Sequence, residues 1–167
     1  MAGMHAAIVS ALSSFPRQLQ ELYAMFPASH CHWAPESWDG IPSEMLTARE
    51  QLCHVRDIEI DGYHVRLRRL VDETRPTLAS VDTYALAKER RYGEADAAQA
   101  LAAFARARAA TVELVRGLSP AQLARAGSFD GYGPVTVRSV IHFLCSHDQQ
   151  HLAGLHWLLG KIHAGVR

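Results

Sequence analysis

The chain has 167 residues, 49% hydrophobic and 20% charged, with 17 Lys plus Arg balanced by 17 Asp plus Glu. A net charge of zero leaves no field to draw it to nucleic acid or anionic lipid, and the mix is that of a folded protein, not a disordered one. The length suits one domain over residues 1–167, able to bury roughly 70% of its unfolded surface without disulfide staples.

The pattern is helical almost throughout. Ile8, Leu12, Phe15, Leu19, Leu22 and Phe26 recur at steps of three and four, one face of a first helix. Pro16 interrupts that run and predicts a break or kink. Residues 27–43, with three prolines, a glycine and two tryptophans, read as a connector that should pack on something. Ser43 is the expected cap of a second helix running to about Asp72, with Glu44 in its first turn. Asp82 can cap a short helix over TYALAKERR. A third long helix is expected from about Glu94 to Leu118. Arg108 is the charged intruder on its apolar stripe, expected to snorkel to solvent. Ser119-Pro120-Ala121-Gln122 is a capping box. Gly127 to Pro134 reads as a loop, and Thr136 caps a last long helix to about His163, ended by Gly165. Four long amphipathic segments without a convincing strand predict an all-α, antiparallel four-helix bundle, with a short extra helix or two in the connections.

The chemistry concentrates in the last helix. Val137, Ile141, Leu144, His147, His151, Leu155, Leu158 and Ile162 form one stripe with two histidines in its middle. Residues four apart rise about 6 Å along a helix and lie within roughly 40° of each other, so both imidazoles can reach one ion. Polar groups turned to a core need partners, and a metal supplies one to both rings. A catalytic metal site usually takes three protein ligands, and His54, among Leu52, Val55 and Ile58 on the second helix, is the best third. Asp57 could orient His54, although a solvated or ion-paired charge is the plainer reading. Asp148 stands where the HExxH zinc-protease signature has its glutamate, but it is a methylene shorter and lacks that setting. His142 and His156 point away from the pair, His64 is too far along the axis, and His30-Cys31-His32 reads as solvated loop. Cys53 and Cys145 read as structural thiols.

Three cysteines in no framework spacing predict a reducing cytoplasm. The first eighteen residues lack a basic start followed by a continuous apolar run, so no signal peptide is expected. No stretch approaches the ~20 apolar residues of a membrane span.

The order of motifs over roughly residues 10–160 resembles the DinB/YfiT-like superfamily of metal-binding four-helix bundles. It comprises H-W-x-P-x-x-W from His32 to Trp38, LTAREQLCHVRDIE, an arginine-bearing third helix around Arg106, and SVIHFLCSHDQQHLAGL. The resemblance implies a three-histidine site at His54, His147 and His151 that binds nickel or zinc, and frequently a homodimer. It also implies a small-molecule substrate and, by analogy with thiol-dependent transferases, a low-molecular-weight thiol such as bacillithiol, mycothiol or glutathione. Fold does not fix function. The leading expectation is a cytoplasmic metal-dependent enzyme activating water or a thiol. The alternative is a non-catalytic, stress-related bundle that binds a ligand or partner, with a structural or absent metal.

Overall fold

The computed structural model describes residues 2–165. Helix α1 (Ala2–Tyr23) continues without interruption past Pro16, so the chain does not break there. Proline there lacks the N–H that would bond the Leu12 carbonyl. That carbonyl instead accepts from Arg108 Nη1 at 3.4 Å. A neighbouring helix supplies the donor that the proline removes.

The second rod comprises α2 (Ala48–Asp57), a π turn (Ile58–Tyr63) and α3 (His64–Asp72). Its cap is Thr47, reciprocally bonded with Glu50, and not Ser43. Leu52, Val55, Ile58, Tyr63, Leu67 and Leu70 are all buried. The step of five from Ile58 to Tyr63 exceeds the three- and four-residue repeat of an α-helix. The π turn absorbs the extra residue and keeps both halves of the stripe on the core.

The crossover that follows holds β1 (Thr77–Leu78) and α4 (Thr83–Glu89), the latter capped by Asp82 as expected. Next come α5 (Ala97–Arg116) and α6 (Pro120–Leu123), which carries the predicted Ser119/Gln122 box. The predicted loop at Gly127–Pro134 is instead part of a hairpin, β2 (Ala126–Phe129) with β3 (Gly133–Thr136). β1 pairs with β2 in parallel. Gly131 and Gly133, at φ 81° and 79°, make the reversal. These strands are too short and glycine-rich to show alternation in sequence, yet Leu78, Phe129 and Val135 are buried against the bundle. Thr136 caps α7 (Val137–His163), reciprocally with Ser139.

Side-chain pairings fix the bundle. α1 packs on α5 and α7, and the α2–α3 rod packs on the same two helices. Leu12 meets Arg108 and Phe15 meets Phe104, so α1 and α5 run in opposite senses. Arg49 reaches Ala95 while Glu59 reaches Arg108, so α2 and α5 run together, as the long crossover between them requires. Gln51 meets His151 and Tyr63 meets His147, so α7 opposes the α2–α3 rod.

The core divides in two. One cluster holds Leu12, Ile58, Tyr63, Val112 and Leu144, and the other Phe15, Leu52, Val55, Phe104 and Leu155. Between them, on α2, the π turn, α5 and α7, lies a layer of buried polar groups: Gln51, His54, Glu59, Arg108, Thr111, Asp148 and His151. Among the described residues no helix is long and apolar enough to cross a membrane.

Candidate metal centre

His147 and His151 stand one turn apart on α7, and the opposed α2 brings His54 to the same level. His147 Nε2 lies 3.1 Å from His54 Nε2 and 3.2 Å from His151 Nε2. Tetrahedral ligands bonded at about 2.0–2.1 Å stand about 3.3 Å apart, so this spacing fits donors to one ion. His54 and His151 are buried, and His147 is partly exposed.

A fourth donor comes from Glu44, which lies in the connector before α2 and not in its first turn. Its Oε2 is 3.3 Å from His151 Nε2 and its Oε1 is 3.7 Å from His54 Nε2. One donor atom from each of the four residues lies within 4.8 Å of the other three. The aromatic connector positions this carboxylate. Trp38 stacks on Trp157 of α7, centroids 6.3 Å apart, and Trp33 packs on the second core cluster. Gly154, one turn beyond His151 at a point where α7 meets the connector, leaves room for Ser43.

Gln51 sets the tautomer of His151. Its amide nitrogen donates to the Leu46 carbonyl at 3.3 Å, which turns its oxygen to His151 Nδ1 at 3.1 Å. That oxygen can only accept, so the ring proton sits on Nδ1 and the Nε2 lone pair faces the cluster. His54 Nδ1 is buried without a partner among the described residues. Asp57 does not orient it, because its carboxylate is bound by Arg56, Arg90 and the Tyr92 hydroxyl.

The ionisation states match a donor set. Burial, reinforced by His151, pushes His54 down to about 3. Burial and both neighbouring histidines likewise push His147 well below the ordinary range. Burial works to raise Glu44, but the nearby His151 and His54 rings prevail and hold it at about 2. At neutral pH the Glu44 carboxylate is therefore ionised while the His54 and His147 rings are neutral.

Arg108 does not snorkel. It is 1% exposed, with its guanidinium bonded to Glu59 at 2.9 and 3.0 Å and to Asp148 at 2.6 and 2.8 Å. The Thr111 hydroxyl donates to Glu59, and the Phe15 and Phe104 rings lie 5.2 and 5.0 Å from the guanidinium carbon. Arg106, two residues away, is exposed. Asp148 is thus tied to Arg108 and turned from the histidine cluster.

The remaining candidates lie outside the site. His64 Nε2 donates to the Ala107 carbonyl at 2.8 Å. His32, His142 and His156 are exposed, while Cys31 is buried against the second core cluster and so is not solvated loop. Cys31, Cys53 and Cys145 are free thiols, and burial pushes Cys53 and Cys145 upward, away from the reactive thiolate.

A pocket of about 130 Å³ opens on the cluster, its walls including Glu44, His54, His147, Tyr63, Arg66 and Tyr132. Sequence reading singled out the three histidines that the fold brings together but missed their neighbours Glu44, Gln51, Tyr63 and Arg66. The available signal for Tyr63 was the apolar stripe that continues past Ile58 after a five-residue step.

A family profile described as the DinB superfamily matches residues 11–155. Among solved structures, the chain is similar to YfiT from Bacillus subtilis, described as a probable metal-dependent hydrolase with an unusual four-helix bundle topology. That likeness has a TM-score of 0.84 at 19% identity and covers 100% of this chain and 91% of the other. A search of functionally curated proteins returns no match.

Proposed function

This chain belongs to the DinB superfamily, and we propose that it is a metal-dependent enzyme acting on a small molecule. His54, His147 and His151 hold a divalent transition metal, nickel or zinc. The observation that carries this reading is the meeting of three imidazole Nε2 atoms, 3.1 and 3.2 Å apart, at the wall of a pocket. Bound there, such an ion supplies Lewis acidity, lowering the pKa of a water or thiol and polarising an electrophile.

The chain's own residues do the rest. Neutral His54 and His147 keep their lone pairs available at pH 7, and Gln51 holds His151 in the required tautomer. The ionised Glu44 carboxylate, on the same side as His151 and His54, accepts the proton that a nucleophile sheds. Tyr63, buried beside His147, keeps bulk water from one wall. The family resemblance favours a low-molecular-weight thiol as nucleophile in a transfer reaction. The description of YfiT supports water as the alternative nucleophile. A cytoplasmic setting, where Cys31, Cys53 and Cys145 stay reduced, belongs to this reading.

The test is to load the purified protein with zinc or nickel. Conjugation of bacillithiol, mycothiol or glutathione to small electrophiles is then assayed beside hydrolysis of small esters and amides. Turnover in one class, falling at least ~100-fold in His147→Ala and His151→Ala, is expected. No turnover in either class, or turnover indifferent to these substitutions, overturns it.

The position of Glu44 favours one second reading: a metal closed off by a fourth protein ligand, serving structure alone. Glu44→Gln separates the two. Metal retained with turnover lost assigns Glu44 to proton transfer. Metal lost from this variant assigns it to ligation.

A further inference from the structure

Arg66 lines the wall of the pocket above the histidines. It is 6% exposed, yet no carboxylate among the described residues pairs with it, in contrast to Arg108 with two. Its polar neighbours are the phenols of Tyr63 and Tyr132. Nε and Nη2 both donate to the Ala79 carbonyl, at 3.3 and 3.1 Å. The Nη1 side and the second Nη2 hydrogen remain, which is the edge that takes a carboxylate through two parallel bonds. The guanidinium carbon lies 4.5 Å from the centroid of the Phe129 ring and 5.4 Å from that of Tyr63. Gly62 makes room for this pose, since a Cβ there would stand 2.9 Å from Nη1, and its backbone does not otherwise require glycine.

Tyr63 links the two ends of the pocket. Its ring centroid is 5.8 Å from that of His147 and 5.4 Å from the guanidinium carbon. A buried cation with no counter-charge is costly unless something pairs with it. We propose that the pocket takes a small organic carboxylate, gripped by Arg66, whose thiol, ester or amide group a few bonds away lies over the Nε2 atoms of His54 and His147. The inference rests on the metal-site reading and narrows its substrates to acids.

Zinc-loaded full-length protein is titrated calorimetrically with 3-mercaptopropionate and with 2-mercaptoethanol, a thiol lacking the carboxylate, and zinc content is measured on the same samples. The acid is expected to bind at least tenfold more tightly to the wild type. Arg66→Met brings the two thiols within twofold, with zinc content unchanged. Gly62→Ala, which keeps the charge but crowds Nη1, reduces the preference at least threefold and serves as the deciding variant if Arg66→Met does not fold. Equal affinities in the wild type, or a preference that survives in every folded variant, overturn the assignment while leaving the metal site intact. A wild type that takes up no zinc overturns both.

Discussion

Asp148 and Arg108 form a two-pronged ion pair in the middle of the bundle, Oδ2 to Nη1 at 2.6 Å and Oδ1 to Nη2 at 2.8 Å. Asp148 directly follows His147, so the pair pins α7 to α5 at the level of the histidine cluster. Glu59 of the π turn grips the same guanidinium, and three helices are fixed through one side chain. Removing one partner of such a pair leaves a buried charge unmatched. Arg108→Met is predicted to destabilise the fold by about 3–5 kcal/mol, measured by urea unfolding. A loss below about 1 kcal/mol contradicts the structural role given to the triad.

Acid should unfold the metal-free protein. A base whose folded pKa lies below its unfolded one binds fewer protons in the native state, so stability falls as pH drops through that interval. His54, held at about 3, and His147, held well below 6.5, both behave this way. Asp148 opposes them. Burial raises it to about 6, above its ordinary 3.8, so between those values the native state carries its extra proton. Two histidines outweigh one carboxyl, so stability falls between pH 6 and 4. Glu44, depressed to about 2, adds to the loss below 4.5. A urea midpoint that stays flat or rises from pH 6 to 4 contradicts this.

Gly154→Ala should destabilise, although alanine is favoured over glycine by about 1 kcal/mol inside a helix. The new methyl would overlap Ser43 Oγ and stand 3.1 Å from Gln51 Oε1. Both neighbours support the site, one beside Glu44 and the other on His151. A net loss of about 1–3 kcal/mol is expected, with weaker zinc affinity. A raised melting temperature with unchanged affinity contradicts the packing argument.

Gln51→Leu removes the acceptor of the His151 Nδ1 proton while roughly preserving volume. Loss of such an orienting partner lowers metal affinity by about 10–100-fold. Competition with a chromogenic chelator measures it, and an unchanged dissociation constant removes Gln51 from the account.

The sequence exposed the features that repeat along a single helix. The α7 stripe, with two histidines amid Val137, Ile141, Leu144 and Leu155, is legible because it follows the helical period. The Asp82, Ser119 and Thr136 caps are legible because their signals are local. Arg108 was misread because its partners lie on two other helices, and a pattern along α5 carries no trace of Glu59 or Asp148. Glu44 was misplaced because its position depends on Trp38 against Trp157 and on space at Gly154, both contacts with α7. Pro16 suggested a break because the donor that rescues the Leu12 carbonyl comes from α5. The strands were too short for alternation to appear.

A crystal of the zinc-soaked protein, with data collected at the zinc absorption edge, tests the metal centre most directly. The account predicts one anomalous peak bonded at about 2.0–2.1 Å to Nε2 of His54, His147 and His151, and no such peak in His147→Ala/His151→Ala. Zinc bound elsewhere only, or rings turned apart with no density between them, contradicts it.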